Sequence, residues 1–544
     1  MYVTSLPDNA EFDYVVCGAG VSGCVVAERL SADGRTSVLL LEAGGPIDSI
    51  NFKIPVFVAK ALTNPGNIWP YMTEPQAFLN NKPQKWTRGR VIGGSGSING
   101  NLFVRGDPLE YNHWRDDLGC TGWGYSDMLP IFKRLEDFPP GDPALRGHGG
   151  PIGCTRLDRF DRLSDAFIAA CAESGYRVLP DYNDGSYEGV FYLQYSTRRG
   201  LRSSSAMGYL KPASDRPNLT ILTRAPGTRV LLEGKRAVGV EYDHGGVRRQ
   251  ARARREVVLS AGPLATPQLL ELSGIGNEAV LREHGIDVVQ HLAGVGENMR
   301  DHPNTRITFE CSQPITINDV LRNPLLKMKE GLRFIFKREG LLTISSSTAQ
   351  MNYRSDPAMK QPDLVLRLQP LSGKDRYSRT PATGMDLFPG FTFGITALQP
   401  KSIGTIHIQS RDPSKQAKMD PKYLSHEDDR HLFLKGFKLS REVAKMPALQ
   451  PMVVRETRPG PNITDEGELM AYIRETIQTS WHMVGTTKMG VDEMSVVDPQ
   501  LRVRGMERLR VVDSGICPTL PSSNTNIPSV AIGEKGAEFL KAAA

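Results

Sequence analysis

Cysteine is scarce in this chain and follows no pattern. Seven occur in 544 residues, at positions 17, 24, 120, 154, 171, 311 and 517, and none forms a C-x-x-C pair. An odd, scattered set argues against a disulfide framework and a zinc site, so a reducing compartment is expected and a metal is not. Net charge is also small: 66 Lys and Arg against 60 Asp and Glu leave +6, which makes no case for nucleic acid. Long apolar runs are missing. No stretch reaches the ~20 residues of a membrane-spanning helix, so no integral membrane segment is expected. The N-terminal MYVTSLPDNAEF lacks a basic segment followed by an apolar core, so no signal peptide is expected and the cytoplasm is the default. The tripeptides Asn218-Leu219-Thr220 and Asn462-Ile463-Thr464 then need no glycosylation. Internal repeats and low-complexity segments are absent. One run departs from the even charge, GVRRQARARREVV at 246–258; an exposed hairpin strand accounts for it better than an anionic partner.

What is present begins at residue 12. FDYVVCGAGVSGCVVAERLSADGRTSVLLLEAGG reads as strand, glycine turn, helix and strand. Gly18, Gly20 and Gly23 form G-x-G-x-x-G directly after an apolar run, and Glu42 follows the second strand, 19 residues beyond Gly23. One glycine permits the tight turn, another lets the backbone approach a pyrophosphate, and the third allows helix and strand to pack closely. The pyrophosphate would lie on the helix N-terminus, and Glu42 would accept hydrogen bonds from the adenosine ribose. A plain βαβ crossover without ligand is the alternative.

Further glycine-rich stretches lie at 88–106 and 256–303, and a fourth unusual region starts near 476. In RGRVIGGSGSINGNLFVRG, Gly93, Gly94 and Gly96 alternate with Ser95 and Ser97, followed by Asn99 and Asn101. Such a loop can bring backbone N–H groups and small hydroxyls against phosphates or a flat ring; a glycine-rich surface loop is the competing reading. SAGPLATPQLLELSGIG at 260–276 reads as a strand end followed by a helix that stops at Gly274. The intervening parts carry alternating strands, such as 391–398 and 405–409. A discontinuous nucleotide-binding unit interrupted by a substrate unit is therefore expected. The helix candidate LLKMKEGLRFIFKREG at 325–340 places Leu325, Met328, Leu332 and Ile335 on one face. Packing within the substrate unit is its expected role, with a membrane-surface or quinone-facing helix as the alternative.

These segments, together with GVGENMRDHP at 294–303 and LRVVDSGICPTLPSSNTNIPSVAIGEKGAEFL at 509–540, resemble the glucose–methanol–choline oxidoreductase family. The likeness runs from Phe12 to about residue 540. NIWPYMTEPQ at 67–76 and DEMSVVDPQLRVRG at 492–505 carry a closer likeness to its bacterial sorbose, choline and polyether-alcohol dehydrogenases. The resemblance implies an α/β fold: a discontinuous, Rossmann-like FAD-binding domain at about 1–155, 215–310 and 470–544. An α+β substrate domain with an antiparallel sheet would span 156–214 and 311–469. It implies oxidation of an alcohol to an aldehyde or ketone, with oxygen or a quinone- or dye-type acceptor. His482, in a His-x-x-Gly-Thr segment, matches the catalytic histidine, and Asn524 matches its partner. An imidazole, with an ordinary pKa of about 6.5, can take the hydroxyl proton, while the amide of Asn524 orients the alcohol. FAD contacts are expected from Gly18, Gly20, Gly23, Glu42, Arg90, Gly94, Ser95, Asn99, Val230, Asp513, Asn526 and Pro528, and Trp481 would shape the pocket. Asp513 has a cap role as its alternative, and His302 is expected to be structural or cofactor-adjacent.

Two positions depart from the family pattern. Ile98 stands where some members link flavin covalently through a histidine, which implies noncovalent FAD. Ile403 stands where relatives often have arginine, and no functional reading attaches to that change. A lyase of the same fold, acting on a cyanohydrin with His482 for acid–base chemistry, is the competing function. A nicotinamide-dependent dehydrogenase would share the N-terminal fingerprint but not the later motifs. The particular alcohol, the physiological acceptor and the oligomeric state stay open, as does peripheral attachment to a membrane.

Overall fold

The computed structural model describes residues 1–158, 160–375 and 378–543. The strand Ala10–Cys17 ends in four buried residues, the continuous apolar run of a parallel strand covered on both faces. The chain turns through Gly18 into the helix Val21–Leu30 and returns as Val38–Leu41, parallel to the first strand with Tyr14 opposite Val38. Gly18 has a φ of +105°, and a Cβ there would sit 2.5 Å from the Ser260 carbonyl oxygen. A Cβ on Gly23 would sit 1.9 Å from the Gly18 oxygen. Both positions exclude a side chain, one by conformation and contact, the other by contact alone.

Distant strands complete the sheet. Its order is Tyr2–Val3, Leu219–Leu222, Val38–Leu41, Ala10–Cys17, Val247–Leu259, Arg236–His244 and Gly227–Glu233, with Leu509–Val511 also paired to the long strand. The basic run lies on that long strand, as the expected hairpin with Arg236–His244, while Val257 to Leu259 are buried between Ala10–Cys17 and Leu509–Val511. The parallel strands end along one edge. There the ladder gains one more bond each from Gly18 to Leu41 (2.9 Å), Glu42 to Leu222 (2.9 Å), Ser260 to Cys17 (2.8 Å) and Val512 to Leu259 (2.8 Å). The crevice outside such carboxyl ends is where open α/β sheets bind ligands.

The second sheet is antiparallel, in the order Val453–Arg458, Pro303–Cys311, Gly390–Ala397, Leu364–Gln369, Ala349–Tyr353 and Gly189–Tyr192. Residues such as Ile307, Leu366, Met351 and Phe393 cover one face and form a second core, joined by the helices Arg162–Glu173, Glu427–Ala444 and Glu466–Thr476. The alternation of a strand sends Gln350, Asn352, Val365 and Arg367 to the opposite face. The architecture is thus the α/β nucleotide-binding fold with an antiparallel substrate sheet that the sequence predicts.

The helix predicted at 325–340 forms as Pro324–Lys337, but its apolar face does not pack within the substrate unit. Leu325, Met328, Leu332 and Ile335 are 67, 58, 47 and 62% exposed, and Phe334 is its buried residue. Spacing creates an apolar stripe, yet burial requires an opposing element, and none lies against it among the described residues. All seven cysteines are free and buried. Among the described residues, no helix is long and apolar enough to cross a membrane, and no group of three or more His, Cys, Asp or Glu is placed to hold a metal ion.

Candidate active site

Two remote glycine segments meet at the sheet edge. Gly93 N–H donates to the Ala19 oxygen at 2.7 Å, and a Cβ on Gly94 would lie 3.0 Å from Gly20 Cα. The same loop touches the C-terminal helix Asn526–Ala542: a Cβ on Gly96 would lie 3.2 Å from Asn526 Oδ1. That helix packs along Val21–Leu30, where Gly533 gives room for Val25 and Ser22. Neither helix has a side-chain cap on its first turn. Their N-termini therefore present backbone N–H groups and positive dipole ends toward this junction.

The donor set fits a dinucleotide. At Gly20 an added Cβ would meet only the Ser260 oxygen, at 3.5 Å, an ordinary contact, so no protein group crowds this backbone. Glu42 accepts from Ala19 N–H at 3.0 Å and Gly44 N–H at 2.7 Å, which ties the acid to the turn. Burial pushes its carboxyl up to about 7, against the pull of those two N–H groups and Arg90. The Arg90 guanidinium stacks 4.6 Å over Trp69, and its buried Nε has no partner among the described residues. Ser95 Oγ accepts from Gly89 N–H at 3.1 Å, and Asn99 Oδ1 accepts from Arg202 at 2.8 Å. Burial holds the Arg202 guanidinium down at about 9. Asp513 joins two segments, accepting from Gly262 N–H and Thr266 Oγ1 at 2.9 and 2.7 Å and from Gly515 N–H of its own turn at 2.8 Å. It thereby caps the turn Ser514–Ile516. Val230 stands on the outer strand of the same sheet, with its N–H donated to Ser273 Oγ at 2.8 Å. Pro528 is buried in the first turn of the C-terminal helix.

His482 and Asn524 come together beside this junction, with Asn524 Nδ2 2.9 Å from His482 Nε2. The other ring nitrogen, His482 Nδ1, lies 2.9 Å from His302 Nδ1, and the two rings stand edge to face at 87°. His302 Nε2 lies 3.1 Å from the Leu398 carbonyl. A carbonyl only accepts, so His302 carries its proton on Nε2 and offers Nδ1 as an acceptor. His482 must then donate from Nδ1, which leaves the Nε2 lone pair toward Asn524. Burial, reinforced by the charge of Arg367 and opposed by the Leu398 bond, pushes His302 down to about 3. It stays neutral, and the tautomer of His482 is assigned by that network.

The backbone of this site is held as firmly. Asp301 Oδ1 accepts from His482 N–H at 2.7 Å, while its other oxygen accepts from Tyr423 and Thr479. Arg300 and Val484 exchange N–H···O bonds of 3.1 and 3.0 Å, so the 300–302 and 480–484 segments are laced together. Trp481, immediately before His482, has a φ of +60°, a left-handed conformation rarely adopted by a bulky residue, and Arg88 donates to its carbonyl at 2.9 Å. Such strain costs about 1–3 kcal/mol and persists where the surroundings over-determine it, commonly at functional sites.

The linkage of His302 to His482, the anchoring by Asp301, and the placement of Arg88, Arg202 and Arg367 are not legible in the sequence. The DHP tripeptide was visible, but its partner lies 180 residues away. Ile98 is buried in a small cluster with Phe52, Ala61, Ile68 and Val91, and Ile403 is exposed.

Known proteins resemble this chain over nearly its whole length. Two family models described as GMC oxidoreductase match residues 12–304 and 400–533. An oxygen-dependent choline dehydrogenase of Photobacterium profundum is 37% identical over 538 residues, 98% of this chain and 93% of that one. One from Brucella anthropi is 37% identical over 532 residues, 97% of this chain and 95% of that one. Among solved structures, pyridoxine 4-oxidase from Mesorbium loti superimposes with a TM-score of 0.86 at 28% identity, covering 97% of this chain and 98% of that one. An Aspergillus oryzae formate oxidase variant does so with a TM-score of 0.91 at 25% identity, covering 99% of each chain. The chain belongs to the GMC oxidoreductase family and is an FAD-dependent oxidoreductase acting on alcohols.

Proposed function

We propose that the chain oxidises an alcohol to an aldehyde or ketone with His482 as the base and FAD held noncovalently. The arrangement of His302, His482 and Asn524 carries this reading. With Nδ1–H committed to His302, His482 keeps Nε2 as the lone-pair nitrogen, and Asn524 Nδ2 points at the same spot from 2.9 Å. An alcohol oxygen that takes the place of their mutual contact donates its proton to Nε2 and accepts from the Asn524 amide, which aims the carbinol carbon. His302 then receives a charge-assisted hydrogen bond from the imidazolium. Asp301 keeps the His482 backbone from moving during the transfer. FAD, when bound, supplies the acceptor for the hydride that leaves the alcohol carbon. Gly18, Gly20, Gly94 and the start of Val21–Leu30 would hold its phosphates, with Glu42 and Val230 toward the adenosine. Arg90, Ser95, Asn99, Asp513, Asn526 and Pro528 would hold the remainder. Ile98 has no nucleophile, which supports noncovalent attachment.

The test is a purified protein whose flavin absorbance bleaches anaerobically with members of an alcohol panel, followed by parallel turnover with oxygen and with a dye acceptor. Acid precipitation should leave FAD in the supernatant. Release of aldehyde from a cyanohydrin without bleaching would instead establish the lyase reading.

A further inference from the structure

The site wall opposite the crevice carries a cation that the proposed chemistry does not use. Arg367 lies on Leu364–Gln369, whose Leu364, Leu366 and Leu368 face the second core. Alternation therefore turns Arg367 to the other side, where its Nη2 lies 3.5 Å from Asn524 Oδ1. Its Nε donates to Gln350 Oε1 at 2.7 Å. The guanidinium is only partly exposed, and burial lowers its pKa. The ionisable groups that act on it are the hydroxyls of Tyr195, Tyr187 and Tyr182, with neutral His302 also beside it and no ion pair to a carboxylate among the described residues. Charge-assisted bonds to guanidinium run at ~2.7–2.9 Å, so the 3.5 Å contact to a neutral amide leaves that edge without a strong acceptor.

Three buried carboxylates around the site are committed elsewhere. Asp301 holds Tyr423, Thr479 and the His482 N–H. Glu110 accepts from Trp114, Thr519, Gln361 and Gln399. Asp513 holds Gly262, Thr266 and Gly515. A burial that strips water from the Arg367 cation is relieved by an anion brought in with the ligand.

We propose that Arg367 recognises the substrate, and that the alcohol oxidised here carries a carboxylate a short spacer away from its hydroxyl. The inference rests on the alcohol-oxidation reading above. With the hydroxyl bonded to His482 Nε2 and Asn524 Nδ2 in place of their mutual contact, the carboxylate reaches the weakly bonded edge of Arg367, whose planar fork matches it in a bidentate manner. A quaternary ammonium alcohol such as choline would meet a guanidinium and no counter-charge, so substrate class here departs from the names of the 37%-identical relatives.

The holoenzyme is assayed with ω-hydroxy carboxylates of graded length, the matching 1-alkanols, and choline, following kcat/KM and anaerobic bleaching. The best hydroxy carboxylate should exceed its alkanol at least about tenfold, with choline the poorest. Loss of a buried charge partner should lower that ratio by about 30-fold or more in Arg367→Gln, and Arg367→Lys should retain part of it. A dead-end arm titrates butanoate, which has no hydroxyl, into unsubstituted and Arg367→Gln holoenzyme by its perturbation of the flavin spectrum. Choline outperforming the hydroxy carboxylates, or a ratio unmoved in Arg367→Gln of normal flavin content, overturns the proposal. If Arg367→Gln does not retain flavin, an unchanged ratio in Arg367→Lys overturns it. Should no alcohol bleach the flavin while butanoate binds only when Arg367 is present, the oxidation reading falls and the anion site stands. If neither occurs, both fall.

Discussion

Replacing His302 separates a positioning histidine from a structural one. In His302→Leu, His482 loses the acceptor 2.9 Å from its Nδ1, and the Asn524 amide at Nε2 is the one contact of this network that still favours the Nδ1–H tautomer. The imidazolium formed on proton transfer also loses a hydrogen bond to its charged form, of about 1.5–3 kcal/mol. At about 1.4 kcal/mol per tenfold, flavin reduction should slow by about 10- to 150-fold. The protonated base is the form that loses support, so its pKa falls and the acid limb of the rate profile moves to lower pH. In His302→Asn, the introduced amide oxygen can accept from His482 while the amide nitrogen donates toward Leu398, so most of the rate should return. The assay is anaerobic stopped-flow reduction across pH, with flavin content and thermal midpoint as controls on folding. Equal rates in His302→Leu and His302→Asn, both with bound flavin, would refute the tautomer argument, as would an unshifted pH profile in His302→Leu.

Four further outcomes follow from particular contacts. His482→Ala should slow flavin reduction by about 10²–10⁴-fold while FAD stays bound, and unchanged reduction kinetics would remove its role as base. Gly23→Ala forces a Cβ to 1.9 Å from the Gly18 oxygen and should yield protein of low flavin content, which the ratio of flavin to protein absorbance reads directly. Glu136 is fully buried between Arg105 and Arg146, at 2.8 and 2.7 Å, so Glu136→Gln should destabilise by about 3–5 kcal/mol in chemical denaturation; a midpoint like that of the parent would contradict this. His407 bonds to Glu271 and Glu297 at 2.7 and 3.2 Å; burial lowers its pKa, but those bonds outweigh it and hold it at about 9. Its folded value lies above its unfolded value of about 6.5, so its stabilisation is complete below that pH and lost as pH rises through about 9. The loss reaches up to about 3 kcal/mol, and His407→Gln should flatten denaturation midpoints between those limits.

The readable parts of this chain were those governed by short-range sterics. Gly18 and Gly23 are required by atoms in the same turn or on the adjacent strand, so their spacing carries the information. Strand alternation likewise marks Leu364, Leu366 and Leu368 as one face and Arg367 as the other. What Arg367 confronts was not readable, because Asn524 lies 157 residues further on. The stripe on Pro324–Lys337 shows the same limit from the opposite side: periodicity specifies an apolar face, and only the fold determines whether anything covers it.

By itself the sequence determined the nucleotide turn, the second glycine loop, the family and the candidacy of His482 and Asn524, since each resides in a contiguous motif. Tertiary structure alone decided that His302 stands behind His482, that Asp301 clamps its backbone, and that the Arg367 guanidinium stands beside Asn524. Those relations join segments far apart in the chain, where direction of hydrogen bonding and loss of solvent, rather than residue spacing, set the chemistry.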